Sequence, residues 1–72
     1  MEEIIIHTDF IKLDAFLKYA GCAQTGGEAK LFISDGQVRV NGEVCTQRGK
    51  KIRPGDEIKY QNRTVKIALE GQ

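Results

Sequence analysis

Apolar residues recur along this chain with two different periods, and the switch between them divides it in two. Leu13, Phe16, Leu17 and Ala20 fall at i, i+3, i+4 and i+7, which is one stripe of a helix. Asp14 and Lys18 stand at i,i+4 on another face, and Gly21 is placed to close that helix in the left-handed conformation. Ala29, Phe32 and Ile33 mark the inward face of a second helix, predicted over residues 26–35, with Gly36 positioned just beyond its end. Ahead of both, "EEIIIHT" is β-branched and predicts a short strand over residues 3–7.

After Gly36 the period becomes two. In "QVRVNGEVC" Val38 and Val40 point inward and Arg39 outward, and Asn41-Gly42 is a strong hairpin signal. Pro54-Gly55 predicts a turn into a strand over residues 57–60, and Gln61-Asn62 turns the chain into "RTVKIAL". There Val65, Ile67 and Leu69 alternate with Thr64, Lys66 and Ala68. The expected fold is α+β: two helices packed on a short, mainly antiparallel sheet in the order β-α-α-β-β-β. Seventy-two residues make a single domain over 1–72, with a core at about 11–60 and fraying expected over 69–72.

The opening of the second helix, "TGGE", raises a question. Thr25 and Glu28 fit a capping box, the hydroxyl reaching the Glu28 amide and the carboxylate reaching back to the Thr25 amide. Gly26 and Gly27 each weaken a helix by about 1 kcal/mol relative to alanine. Either a tight loop after "CAQ" needs them, or a ligand approaches the backbone there. A phosphate is the natural candidate, because the first helical turn offers unpaired amides and the positive end of the macrodipole. Lys30 stands one turn later.

Net charge, +1, hides an asymmetry. Residues 1–38 carry three lysines against six acids, whereas residues 39–66 carry eight cations against three acids. The tightest cluster is "RGKKIR", where Arg48, Lys50, Lys51 and Arg53 have no acid among them. Arginine grips phosphate bidentately and lysine acts as a mobile point charge, so the cluster suits a polyanion; a solvated loop charged for solubility is the plainer alternative.

Several function classes recede. Cys22 and Cys45 are too few for the disulfide framework of a secreted miniprotein, and with one histidine they make no ordinary zinc site. "MEEIII" has no signal-peptide character, and no apolar run nears the ~20 residues of a membrane span, so a cytoplasmic protein is expected. His7 has no nucleophile beside it, and "TGGEAK" lacks the Walker spacing, so no enzyme, cofactor, metal or small-molecule substrate is expected. Phe16 and Phe32 lie on core stripes, and the two tyrosines, Tyr19 and Tyr60, are too few for a single-strand stacking surface.

The ordered combination "KLDAFLK", "AKLFISDGQVRVNG" and "IRPGDEI" resembles the S-four RNA-binding domain family, also called the αL motif. Stand-alone length, "TGGEAK" and "RGKKIRPGD" are most similar to its small YaaA/YbcJ-type bacterial members. The resemblance, which spans about residues 11–60, implies non-catalytic binding of structured RNA, ribosomal RNA or a ribosomal particle, through the helices and the adjoining β-turn. Carried over residue by residue, it implies RNA contacts at Lys12, Lys18, Thr25, Lys30, Arg39 and Asn41. Many members open the second helix with Ser-Arg; here Thr25-Gly26 stands instead, so one arginine is missing and backbone amides at Gly26 and Gly27 are its candidate replacement. Because A-form RNA hides its base edges in a narrow major groove, readout by shape and 2′-hydroxyl is expected.

Two competing classes differ in kind. A protein-interaction adaptor would set "RGKKIR" against an acidic protein surface. A sulfur carrier needs a flexible Gly-Gly end, and this chain closes on "EGQ". A monomer is the default expectation for either leading class.

Overall fold

The computed structural model describes residues 2–70. Its elements are β1 (Glu2–Ile6), β2 (Ile11–Lys12), α1 (Leu13–Tyr19), α2 (Gly26–Ser34), β3 (Val38–Val40), β4 (Glu43–Val44), β5 (Lys51–Ile52), β6 (Glu57–Tyr60) and β7 (Arg63–Leu69). The α+β architecture expected from the sequence is present, with two additions. First, β1 pairs parallel with β7, so the five-stranded sheet β1-β7-β6-β3-β4 is mixed, its remaining pairs being antiparallel. Second, β2 and β5 form a separate two-stranded antiparallel sheet. Strands of two residues carry no readable period, so the sequence gives no sign of them.

Local chemistry accounts for the elements. Thr25 is extended and its Oγ1 accepts from the Glu28 amide at 3.1 Å, as the capping box requires. The reciprocal arm is displaced by one residue: Glu28 Oε1 accepts from the Gln24 amide at 3.1 Å rather than from Thr25. Gly21 and Gly36, at φ 77° and 76°, end the two helices in the left-handed region. Asn41 and Gly42 both take positive φ, 52° and 88°, the pattern of a type I′ hairpin whose twist matches its strands. The expected Asp14–Lys18 pair is absent: Asp14 Oδ1 instead accepts from the Ala15 amide.

One face of the sheet meets the helices. Leu13, Phe16, Leu17, Ala29 and Ile33 pack with Val38, Ile58, Val65 and Ile67 in a single core. Phe32 stacks on Tyr60 with ring centroids 4.9 Å apart, and Tyr60 is buried rather than exposed, because β6 directs it to the same side as Ile58. Arg39, Lys59 and Lys66 alternate with these residues and lie exposed on the other face. Fraying was expected from residue 69, yet Leu69 pairs with Ile6 and the Glu70 amide donates to the Ile6 carbonyl; residues 71 and 72 lie outside the described residues.

Candidate nucleic-acid interface

Helix α1 starts without a side-chain cap. Its first amides are satisfied from far along the chain: Leu13 N donates to the Lys50 carbonyl at 2.9 Å, and Asp14 N to the Arg48 carbonyl at 3.1 Å. The basic loop is thereby tied to the helix start. Pairing of β2 with β5 extends the tie, setting Ile11 opposite Ile52 and Lys12 opposite Lys51. Ile52 is fully buried and Ile11 packs against the core, so the lysines stand on the outward side of the ladder.

Like charges placed directly across an antiparallel pair destabilise it. Lys12 and Lys51 accept that arrangement with no acid within ion-pair distance; among the described residues the ion pairs are Arg63–Glu2 and His7–Glu70. Arg48, Lys50 and Arg53 are likewise exposed and, among the described residues, free of ion pairs. The structure thus gathers Lys12, Arg48, Lys50, Lys51 and Arg53, from two separate stretches of sequence, around the start of α1.

The other expected contacts lie elsewhere. Lys18 is exposed in the last turn of α1. Thr25, Gly26, Gly27 and Lys30 are exposed along the first turns of α2. A methyl group at Gly26 meets nothing within 4 Å, and one at Gly27 meets only Thr25 Oγ1 at 4.0 Å. Neither glycine has positive φ, so the loop geometry does not demand them. Arg39 lies on the open sheet face opposite Lys59, its Nη1 donating to the Gly42 carbonyl at 3.1 Å. Asn41 is occupied within the protein: its Nδ2 donates to Asp56 Oδ1 at 3.0 Å, and its Oδ1 accepts from the Glu57 amide at 2.9 Å.

Two features escaped the sequence reading. Phe10, half-buried just before β2, has the Lys51 ammonium 4.9 Å and the Arg53 guanidinium 5.9 Å from its ring centroid. Arg63 holds Glu2 bidentately at 2.8 Å through both bonds and reaches Cys22 Sγ at 3.4 Å. The hydrogen bonds from Arg63 hold the Glu2 carboxyl below the usual carboxylate range, while burial pushes the Cys22 thiol up. Among the described residues no three His, Cys, Asp or Glu side chains gather as a metal site, and no helix is long and apolar enough to cross a membrane.

These features define a small α+β domain that displays a basic surface, free of ion pairs among the described residues, built on a helix start. The chain belongs to the S4 domain family, whose model matches residues 4–68. It is 43% identical over 58 residues to RlbA of Bacillus subtilis, named a probable ribosome maturation protein, covering 81% of this chain and 82% of that one. YbcJ of Escherichia coli is 33% identical over 57 residues, 79% of this chain and 81% of its own. The solution structure of YbcJ, described as revealing an αL motif involved in RNA binding, superposes with a TM-score of 0.72 at 29% identity, covering 94% of this chain and 87% of that one. A small ribosomal subunit protein uS4, from Hyphomonas neptunium, is 33% identical over 58 residues, which is 81% of this chain and 28% of that longer protein.

Proposed function

We propose that this protein binds structured RNA, ribosomal RNA or a ribosomal particle in particular, and catalyses no reaction on it. The observation that carries the reading is the convergence of Lys12, Arg48, Lys50, Lys51 and Arg53 around the start of α1, none of them in an ion pair among the described residues. A surface that keeps like charges in register without compensation is suited to a polyanion that brings its own negative charge. Membership of the S4 domain family and the RNA-related names of its relatives favour RNA over other polyanions. Lys18 and Lys30 on the helices, and Arg39 on the sheet, would add phosphate contacts as the RNA extends beyond the central cluster. Thr25 and the open backbone at Gly26 and Gly27 form the second contact region in this reading.

Binding of the purified protein to structured ribosomal RNA fragments, duplex DNA and an acidic protein, across a salt series, tests it. RNA-selective binding that weakens steeply with salt is the expected result. Equal binding to all three overturns the RNA reading and leaves a generic electrostatic patch, the property of an adaptor for acidic proteins.

A further inference from the structure

Phe10 is not one of the expected RNA contacts, yet it sits among the strongest of them. In the β2–β5 ladder, Ile11 faces Ile52 and Lys12 faces Lys51, and Phe10 and Arg53 both stand immediately beyond the Ile11–Ile52 end of it. Strand alternation places Lys12 and Lys51 on the outward side and Ile11 and Ile52 on the core side, and the Phe10 ring joins the outward side by lying under Lys51 and Arg53. Thr8 Oγ1 donates to the Phe10 carbonyl at 2.7 Å and fixes the backbone leading into this position. Both Lys51 and Arg53, although exposed, hold their charged groups over the ring, at 4.9 and 5.9 Å from its centroid.

We propose that Phe10 is the seat of a two-cation clamp for an RNA backbone phosphate, with Lys51 and Arg53 as its jaws. The proposal rests on the RNA-binding reading above and names the group taken at this part of the surface. An aromatic face attracts a cation through its quadrupole without using up its N–H donors. A guanidinium lying over the ring still presents its donors outward in its own plane, the geometry that grips a phosphate bidentately. An ammonium over the ring likewise keeps N–H groups free. Free lysine and arginine side chains lose considerable rotamer freedom when they are ordered on a ligand. Cations already gathered on the ring lose less of it, and the ring's negative face offsets part of the repulsion among Lys12, Lys51 and Arg53. Phe10 is thus a positioning residue: it touches the phosphate ligands, not the phosphate.

The test compares RNA affinity for the native chain, Phe10→Leu, Phe10→Met and Phe10→Trp, each also in a Lys51→Ala/Arg53→Ala background, with thermal midpoints recorded alongside. Loss of the ring should weaken binding by about three- to tenfold in both aliphatic variants, and Phe10→Trp should restore it. In the background lacking both cations the aliphatic changes should cost less than twofold, since nothing is left to position. Equal weakening in both backgrounds, or none in the native one, overturns the clamp. If Lys51→Ala/Arg53→Ala alone leaves RNA binding intact, the basic surface itself has been misread, and that result is separate from the first. A further readout needs no variant: the side-chain protons of Lys51 and Arg53 should show upfield ring-current shifts in free protein that persist in the RNA complex. Their disappearance on binding means the cations leave the ring, which also overturns the clamp.

Discussion

Asn41 Nδ2 donates to Asp56 Oδ1 at 3.0 Å, joining the hairpin between β3 and β4 to the Pro54-Gly55 turn fifteen residues later. The second carboxylate oxygen of Asp56 accepts from the Arg53 amide at 2.9 Å, so one side chain connects the hairpin to the end of the basic segment. The Asn-Gly and Pro-Gly-Asp stretches, legible separately as turn signals, are two halves of one hydrogen-bonded joint.

Breaking that joint should destabilise the fold. Asn41→Ala removes two side-chain hydrogen bonds and puts a Cβ residue without a compensating polar group at φ 52°. A loss of about 1–3 kcal/mol is expected in urea unfolding, with Asp56→Ala in the same range. The double variant should lose clearly less than the two single losses together, because the residues share a bond. Full additivity would show that the joint is not a unit.

Replacing Lys50 and Lys51 together by alanine should lower RNA affinity and flatten its salt dependence. Two phosphate contacts removed correspond to a fall of about 1.4–1.8 in the slope of log affinity against log salt. Stability should hold or rise slightly, since Lys51 no longer faces Lys12 across the ladder. An unchanged slope places these lysines outside the interface.

Gly27→Ala separates binding from stability in a single variant. The added methyl meets only Thr25 Oγ1 at 4.0 Å, so the helix should gain up to about 1 kcal/mol. If phosphate sits on the exposed amides, RNA affinity should fall while the thermal midpoint rises. Unchanged affinity with a higher midpoint would leave the glycines without a ligand role.

Acid should loosen the edge of the sheet through Glu2. Its carboxyl, hydrogen-bonded by Arg63, has a folded-state pKa lowered from 4.5, so the unfolded chain binds the proton more readily. The contribution of the pair is fully present above about pH 4.5, the unfolded value, and is lost as pH falls through the lower folded value. Arg63→Leu should therefore flatten the fall in stability below pH 4.5, read as thermal midpoint against pH. A profile identical to that of the native chain would remove Glu2 from the acid response.

Elements written in short-range chemistry were legible. The helix starting after Thr25, the closures at Gly21 and Gly36, the Asn-Gly hairpin and the strand Glu57–Tyr60 each depend on residues a few positions apart. Pairings across long loops were not. Glu2 meets Arg63 over 61 residues, and β1 lies parallel to β7, because both strands complete the same buried face rather than because of any local signal.

The candidate site divides the same way. That the second half of the chain is basic, and that "RGKKIR" is its densest run, follows from the sequence alone. That Lys12 belongs with that run does not, and neither does the place of Phe10 beneath Lys51 and Arg53. A sequence fixes which side chains are charged, aromatic or apolar, and the period of the apolar ones decides which elements form. Which charges become neighbours depends on how those elements pack. Here burial of Ile11 and Ile52 against one core aligns two short segments, and on their outward side that alignment brings three cations and one aromatic ring together.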